Sequence, residues 1–258
     1  MESRKGLIRF LSDTEEKQFL SNISIDCVVL GFHDGHLKVL LLRFTETDLY
    51  ALPGGFVRQE ESLDEAAYRI LAERTGLQNI YLRQFHTFGD PARRNDATHR
   101  QIMAVRGLAL PDSHWLFERF ISVGYYALVD FSEVHPKPDD FSDAADWYEL
   151  EALPPLVFDH NQIVDKALSA LRLSLEYAPV GVNLLPEVFT MADLQQLYET
   201  ILGTRLLRTN FQRKMLSLNL LERVDKKRTG KAHKAPYLYR FVTRTFPDGA
   251  DSSSGFLD

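Results

Sequence analysis

GFVRQEESLDEAAYRILAERTGL, residues 55–77, carries the most informative pattern in this chain. Ser62 and Glu65 stand at the spacing of a capping box, which predicts the start of a helix. From Leu63 onward the apolar residues recur at i, i+3, i+4, i+7 and i+8, the period of one helix face. Gly76 predicts the end of the helix, because glycine adopts the left-handed conformation that commonly closes one. The stretch is therefore predicted to form a loop, a helix and a second loop.

Strand-like runs lie on both sides of this helix. Ile23–Phe32 and Leu37–Phe44 are apolar and β-branched, and an Asp-Gly pair between them predicts a hairpin turn. Strands mixed with two long helices indicate an α/β layered domain. We place this domain at residues 23–180, after an N-terminal arm at residues 1–22. Its other elements are predicted as strands at Ile80–Phe88, Phe120–Val129 and Trp147–Leu150 and as a helix at Ile163–Leu175.

A second unit follows residue 183. A capping box at Thr190 and Asp193 opens a helix that Gly203 ends, and another helix follows after a short turn. Two strand-like runs then flank a basic loop, and this order is the layout of a winged helix-turn-helix. We place this domain at residues 184–245, and the tail at residues 246–258 is predicted to be disordered. The predicted elements are helices at Met191–Leu202 and Arg208–Leu218 and strands at Leu220–Val224 and Tyr237–Val242.

Charge is distributed unevenly along the chain. The whole chain has a formal net charge of −6, yet residues 201–245 hold 12 Lys and Arg against 2 Asp and Glu. Residues 1–200 hold 18 Lys and Arg against 31 Asp and Glu. An acidic body with one short basic segment is typical of a protein that carries a nucleic-acid-binding face. The alternative interpretation is a solvated charge run that binds nothing.

The composition excludes several classes of protein. With 45% hydrophobic and 26% charged residues, the chain has the balance of an ordinary globular protein. No run approaches the roughly 20 apolar residues of a membrane-spanning helix, and the N-terminus does not resemble a signal peptide. The single cysteine cannot form an intrachain disulfide, and the eight histidines show no metal-ligand spacing. These features predict a cytoplasmic protein with no membrane partner.

Residues 55–77 resemble the Nudix box, whose pattern is G-x5-E-x7-R-E-U-x-E-E-x-G-U, where U is bulky and apolar. The matching residues are Gly55, Glu61, Arg69, Leu71, Glu73, Gly76 and Leu77. The resemblance implies a Nudix-like α/β/α sandwich in which the loop–helix–loop gathers Mg²⁺ on carboxylates. It also implies cleavage of a nucleoside diphosphate linked to another group, a reaction in which the metal neutralises phosphate charge and activates water.

Two of the three helix carboxylates of that pattern are missing here. Ile70 and Arg74 occupy their positions, and only Glu73 remains. Isoleucine offers no oxygen to Mg²⁺, and a second cation 4 Å away would be repelled by about 4 kcal/mol near a protein surface. We therefore expect no catalytic residue and no cofactor. The alternative is a hydrolase in which Glu60, Glu61 and Glu73 act in catalysis and Glu61 and Glu73 hold Mg²⁺.

Arg74 is also a candidate for contact with a ligand in the cleft beside this helix. A guanidinium group binds phosphate or carboxylate oxygens with two parallel hydrogen bonds. For Arg69 and Glu61 we favour a structural role, bracing the loop against the helix, and we expect Ile70 to be packed. The candidate effector-binding residues are Arg58, Glu73, Arg74 and Tyr125.

The second helix of the C-terminal unit is predicted to enter the major groove of DNA. Phe211, Met215 and Leu218 form its inward face at helical spacing. The opposite face offers Asn and Arg, which bind adenine and guanine edges bidentately, and lysines of the basic loop would contact phosphates or a minor groove. The candidate DNA-binding residues are Thr209, Asn210, Arg213, Lys214 and Ser217 on the helix and Lys226, Lys227, Arg228, Lys231 and Lys234 in the wing.

A Nudix-like domain followed by a winged helix resembles the Nudix-related transcriptional regulators. Other stretches look like landmarks of that group, namely Gly124–Val129, Phe158–His160, Asn183–Pro186, Asn210–Lys214 and Tyr237–Phe241. The resemblance implies a homodimer that binds a double-stranded DNA operator and senses a small-molecule effector, either a sugar or an ADP-ribose-type ligand. The stretch Pro91–Glu118 departs from the pattern. The alternatives that stay open are a Mg²⁺-dependent Nudix pyrophosphohydrolase and a non-catalytic RNA-binding module.

Overall fold

Contacts divide the chain into two compact units. The first unit consists of the chain up to Leu30, Lys38–Ala127 and Val134–Ala167. The second consists of Gly31–Leu37, Leu128–Glu133 and the chain from Leu168 onward. No helix in the described part of the chain is long and apolar enough to cross a membrane. The computed structural model describes residues 17–44, 47–78, 80–93, 96–105, 107–131, 134, 136, 142–175, 184–226 and 235–242.

A seven-stranded sheet forms the centre of the first unit. In chain order its strands are β1 (Phe19–His33), β2 (His36–Phe44), β3 (Tyr50–Ala51), β4 (Gly54–Arg58), β5 (Tyr81–Phe88), β6 (Ile121–Val129) and β7 (Ser142–Glu149). Their order in the sheet is β3–β2–β1–β6–β5, with β4 paired to β1 and β7 paired to β2. The pairing of β4 with β1 is antiparallel, and so are the pairings of β3 and β7 with β2.

Three helices accompany this sheet: α1 (Leu63–Thr75), α2 (Asp96–Val105) and α3 (His160–Ser174). The predicted capping box of α1 is formed, because the Ser62 side chain accepts from Glu65 N and the Glu65 side chain accepts from Ser62 N. Gly76 closes α1 at a φ of 75°, in the left-handed region. The buried face of α1 contains Ala66, Ala67, Ile70 and Leu71, which confirms the predicted apolar stripe.

The second unit contains a helix pair and a small antiparallel sheet. Its elements are β8 (Phe189–Thr190), α4 (Met191–Leu202), α5 (Arg208–Ser217), β9 (Leu221–Lys226) and β10 (Tyr237–Phe241). The strand order is β8–β10–β9. The predicted capping box of Thr190 and Asp193 opens α4, and Gly203 closes it at a φ of 69°. Two helices, a short turn and a two-stranded wing confirm the winged helix-turn-helix layout.

Several element boundaries differ from the predicted ones. β1 begins four residues before Ile23, because its first part pairs with β4, a short strand that the sequence pattern did not predict. β7 starts at Ser142 rather than at Trp147, since its ladder with β2 extends back that far. α3 starts at His160 rather than at Ile163. The divergent stretch at residues 91–118 contains α2 and two short 3₁₀ turns.

Candidate functional site

The carboxylates of the loop–helix segment are held by two arginines. Arg69 Nε donates to Glu61 Oε2 at 2.8 Å, and Arg69 Nη1 donates to Glu73 Oε2 at 2.9 Å. Arg58 Nη2 donates to the other oxygen of Glu73 at 3.2 Å. Arg69 Nη2 also donates to the Phe56 carbonyl at 2.8 Å, so the loop and the helix are joined through one guanidinium group. This is the bracing geometry that we expected of Arg69 and Glu61.

The electrostatics of the network keep its charges in place. The hydrogen bond from Arg69 holds the pKa of Glu61 below its ordinary value, because it stabilises the ionised carboxylate. The same bond raises the pKa of Arg69. Both groups are therefore charged at neutral pH, and the ion pair between them persists there.

These residues do not fit the Mg²⁺ ion that a Nudix box implies. Mg²⁺ requires oxygen ligands in near-octahedral geometry, and both Glu73 oxygens already accept from guanidinium groups. Ile70 is 2% exposed, and its Cγ1 would lie 3.0 Å from a Cβ at Gly55, so it fills the space beside the loop. Among the residues that the structure describes, no three His, Cys, Asp or Glu side chains converge as a metal site requires.

A cavity of about 190 Å³ lies within the first unit. Strands β1 and β2 form one side, and Arg74 of α1 reaches it with Nε donating to the Gly54 carbonyl at 2.9 Å. The stretch that diverges from the Nudix pattern also lines the cavity, with Ile102, Met103 and Leu116. This stretch is therefore part of the cleft. The aromatic lining residues are Phe44, Phe56, His99, Phe120 and Phe158.

A second arginine, Arg93, also lines the cavity. It forms a bidentate pair with Asp159, with Nε at 2.6 Å from Oδ2 and Nη2 at 3.0 Å from Oδ1. Its Nη1 donates to the carbonyls of Phe88 and Phe120, each at 3.1 Å. The Arg93 side chain is 10% exposed, so this guanidinium is buried and almost fully hydrogen-bonded.

Asp26 and His160 complete this buried polar cluster. Ser122 Oγ donates to Asp26 Oδ2 at 2.5 Å, and His160 Nε2 lies 3.5 Å from Asp26 Oδ1. Leu52 N donates to His160 Nδ1 at 3.0 Å, which places the imidazole proton on Nε2, facing Asp26. Burial lowers the pKa of His160, so the imidazole is neutral at physiological pH.

The structure brings one of the four predicted effector-binding residues to the cavity. Arg74 lines it. Arg58 and Glu73 pair with each other away from its lining, with side chains about half exposed. Tyr125 is buried, and its hydroxyl donates to Asp64 Oδ1 at 2.6 Å, so it is a core residue of β6. Asp26 and Arg93 were not predicted as site residues, because they are far apart in the chain and carry no shared motif.

Helix α5 has two of the three residues of its predicted inward face, whereas Leu218 follows the end of the helix and is half-buried. Phe211 and Met215 are buried, and the Phe211 ring packs edge-on against Tyr198 of α4 with 5.3 Å between centroids. Arg213 Nη2 donates to Asn210 Oδ1 at 3.4 Å on the outer face. Lys214 is half-buried at its flank. The exposed candidates for DNA contact are Thr209, Asn210, Arg213 and Ser217.

The wing presents cations that are ordered by an aromatic ring. The Arg223 guanidinium lies 3.9 Å from the centroid of Tyr237, and Lys226 Nζ lies 5.3 Å from it. Cation–π contacts of this kind hold charged side chains in place on an exposed strand. The remaining wing candidates, Lys227, Arg228, Lys231 and Lys234, lie outside the described residues.

Comparison with known proteins agrees with this architecture. The chain is similar to the ADPR responsive transcriptional repressor NtrR of Acinetobacter baylyi, with 29% identity over 246 residues that cover 92% of this chain and 89% of the relative. The crystal structure of Shewanella oneidensis NrtR matches with a TM-score of 0.66 at 29% identity and covers 86% of this chain and 94% of that one. The same protein complexed with a 27mer DNA matches with a TM-score of 0.65 at 28% identity and the same coverage.

Two protein families match successive parts of the chain. Residues 21–167 match the NUDIX domain, and residues 181–241 match the NrtR DNA-binding winged helix domain. The first match spans the sheet and the arginine-held Nudix box, and the second spans the helix pair and the wing. The chain belongs to the Nudix family and, through its C-terminal winged helix, to the Nudix-related transcriptional regulators that bind DNA.

Proposed function

We propose that this regulator binds an ADP-ribose-type effector in the cavity of its Nudix domain without hydrolysing it, and that the effector changes its affinity for operator DNA. One observation carries the proposal. Arg58 and Arg69 engage the carboxylates of Glu61 and Glu73, while Arg74 takes the last acidic position of the box and lines the cavity. In this proposal α1 presents a guanidinium group to the cavity at a position where the Nudix pattern has a carboxylate. The ADPR-responsive relative favours this ligand over a simple sugar.

The lining of the cavity suits one end of such a ligand. An aromatic wall accepts a flat ring by stacking, and a guanidinium accepts phosphate oxygens with directed hydrogen bonds. ADP-ribose offers both an adenine ring and a diphosphate. Sites that enclose a whole ligand of this size measure about 300–1,000 Å³, whereas this cavity measures about 190 Å³. One ring of the ligand would therefore be enclosed, with the rest extending toward the surface.

The winged helix supports recognition of double-stranded DNA. We propose that α5 enters the major groove, where Asn210 and Arg213 read base edges, and that the wing contacts phosphates. We also propose a homodimer for this chain, because a two-fold dimer would match a two-fold operator. We also propose domain boundaries of 23–180 and 184–245. The other proposed DNA contacts are Thr209, Lys214, Ser217, Lys226, Lys227, Arg228, Lys231 and Lys234.

Two assays on the full chain test the proposal together. In a gel-shift titration on DNA upstream of its own gene and its neighbours, we expect a salt-sensitive, sequence-preferring complex. ADP-ribose should change the apparent dissociation constant by about 5- to 150-fold. In parallel, release of the nucleoside monophosphate from nucleoside diphosphate derivatives is measured in Mg²⁺ with and without EDTA. We expect no metal-dependent release.

A matched pair of arginine variants locates the ligand. Arg74→Met removes charged hydrogen bonds to the effector, so ADP-ribose binding measured by calorimetry should weaken about 10- to 100-fold. Arg83→Met, on β5 away from the cavity lining, should bind ADP-ribose as the wild type does. Metal-dependent turnover that Glu73→Gln abolishes would contradict the proposal and favour a hydrolase that uses Glu60, Glu61 and Glu73.

A further inference from the structure

The hairpin tip of the sheet belongs to the second unit. Asp34 and Gly35 form the tight turn between β1 and β2, with φ of 50° and 82°. Thr200 Oγ1, in the last turn of α4, donates to the Gly35 carbonyl at 3.0 Å. A Cβ on Gly35 would lie 2.2 Å from Gln196 Nε2, and the φ of 82° favours glycine at this position. The tip therefore rests directly on the C-terminal half of α4.

The C-terminal half of α3 reaches the same turn of α4. Arg172 Nε donates to the Ile201 carbonyl at 2.7 Å. This carbonyl belongs to the last turn of a helix, where acceptors lack intrahelical partners and a cation is favoured by the helix dipole. Two hydrogen bonds from different elements thus end on the adjacent residues Thr200 and Ile201. Both bonds lie within the second unit.

The last turn of α4 also fixes the start of α5. Glu199 Oε1 accepts from Leu206 N at 2.8 Å, and Gln195 Nε2 donates to the Leu206 carbonyl at 3.0 Å. Together with the contact between Tyr198 and Phe211, these bonds hold the turn that connects the two helices. A displacement of this turn of α4 must therefore displace α5, the helix that carries the proposed base contacts.

The elements that make these two contacts also line the cavity at their other ends. Ser24 and Asp26 of β1, Phe44 of β2 and His160, the first residue of α3, are all lining residues. Each strand and the helix runs without a break from its lining residue to its contact with α4. Rigid secondary-structure elements of this kind carry small displacements over distance.

We infer that occupancy of the cavity is transmitted to α5 through two hydrogen bonds on the last turn of α4, from Thr200 to Gly35 and from Arg172 to Ile201. This inference rests on the proposed function, since it concerns how the effector acts. A ligand that moves β1, β2 or α3 changes one or both bonds, and the two bonds converge on the segment that orients α5. Thr200 and Arg172 are positioning residues and touch neither the ligand nor DNA in this scheme.

The test measures coupling separately from binding. Thr200→Val, Arg172→Met and the double variant are compared with wild type and with Arg83→Met as the control. ADP-ribose affinity, and operator affinity without ADP-ribose, should stay within about 2-fold of wild type. The factor by which ADP-ribose changes operator affinity should fall by about 2- to 10-fold for each lost hydrogen bond. Thr200→Ser keeps the hydroxyl, so ADP-ribose should change its operator affinity by the same factor as in the wild type.

Hydrogen exchange tests the inference on the wild-type protein, without any variant. In hydrogen exchange followed by mass spectrometry, ADP-ribose should change the protection of amides at residues 33–36 and 199–206. Unchanged exchange at these residues, or full coupling in the double variant, would overturn the inference but would not contradict the proposed effector. A wild-type protein that does not bind ADP-ribose would overturn the proposed effector and this inference with it.

Discussion

Replacing Arg93 by methionine tests the buried polar cluster of the first unit. The substitution keeps an unbranched chain as far as the Nε position and removes two hydrogen bonds to Asp159 and two to main-chain carbonyls. It also leaves Asp159 and Asp26 with side chains only 14% and 9% exposed and without their neighbouring cation. Removing one partner of a buried ion pair costs about 3–5 kcal/mol, because the remaining charge is buried and uncompensated.

That magnitude is large against the whole stability of a protein. Unfolding free energies are typically about 5–15 kcal/mol, so the Arg93→Met variant should lose a substantial fraction of its stability. Arg58→Met is the matched control, because the ion pair of Arg58 with Glu73 is about half exposed at both ends. Exposed pairs contribute no more than about 1 kcal/mol.

Tryptophan fluorescence during urea unfolding is the suitable assay. The chain has two tryptophans, Trp115 and Trp147, and both belong to the first unit, so the signal reports that unit. We expect the midpoint of Arg93→Met to fall well below that of Arg58→Met at neutral pH. If the two variants unfold within about 1 kcal/mol of each other, the cluster does not hold the first unit together and the reasoning fails.

Three further predictions follow from other parts of the structure. Burial lowers the pKa of His160, so below about pH 6.5 the unfolded chain takes up a proton that the folded chain refuses. The free energy of unfolding should therefore fall by up to about 1.4 kcal/mol per pH unit of acidification because of this group. Urea titrations between pH 7.5 and 5 should show that the free energy of unfolding of His160→Gln depends less steeply on pH than that of the wild type. Gly54→Ala should destabilise by about 1–3 kcal/mol, because its Cβ would lie 2.6 Å from Asp26 Oδ1, whereas Gly89→Ala, with its nearest atom at 3.9 Å, should change thermal unfolding little. Equal melting temperatures for these two variants would contradict the packing argument. Arg213→Ala should weaken operator binding by about 1–3 kcal/mol at one base position, and Lys226→Ala should lower the slope of log affinity against log salt concentration by about 1. Gel shifts on operator variants at several salt concentrations distinguish the two effects. An unaltered base preference in Arg213→Ala would exclude Arg213 from base readout.

The sequence predicted best those elements whose signals are local. Helices α1 and α4 each carry a capping box at one end and a glycine at the other, with an apolar stripe between, and the structure confirms both. The inward face of α5 was also predictable, because Phe211 and Met215 stand four residues apart. Periodicity and caps depend on neighbours within one or two turns, so a single sequence contains all that they require.

The cavity was not predictable, because distant residues create it. The carboxylate of Asp159 pairs with Arg93, 66 residues earlier in the chain, and no local pattern links the two residues. Tyr125 was expected in the cleft, yet strand alternation turns it toward Asp64. The short strands β3 and β4 exist through their pairing with β2 and β1, and no local propensity marks them. Tertiary pairing, rather than local preference, decided each of these cases.

The packing of Ile70 against Gly55 has a consequence for any attempt to engineer a hydrolase from this scaffold. Ile70→Glu would place a carboxylate in a site that is 2% exposed, where burying a charge is costly. Arg74→Glu would add an acid beside Glu73, whose oxygens Arg58 and Arg69 already occupy. Reversion at the two consensus positions alone would therefore give an unstable protein rather than an enzyme. Building a metal site at this helix would therefore require redesign of the surrounding loop as well as of these two positions.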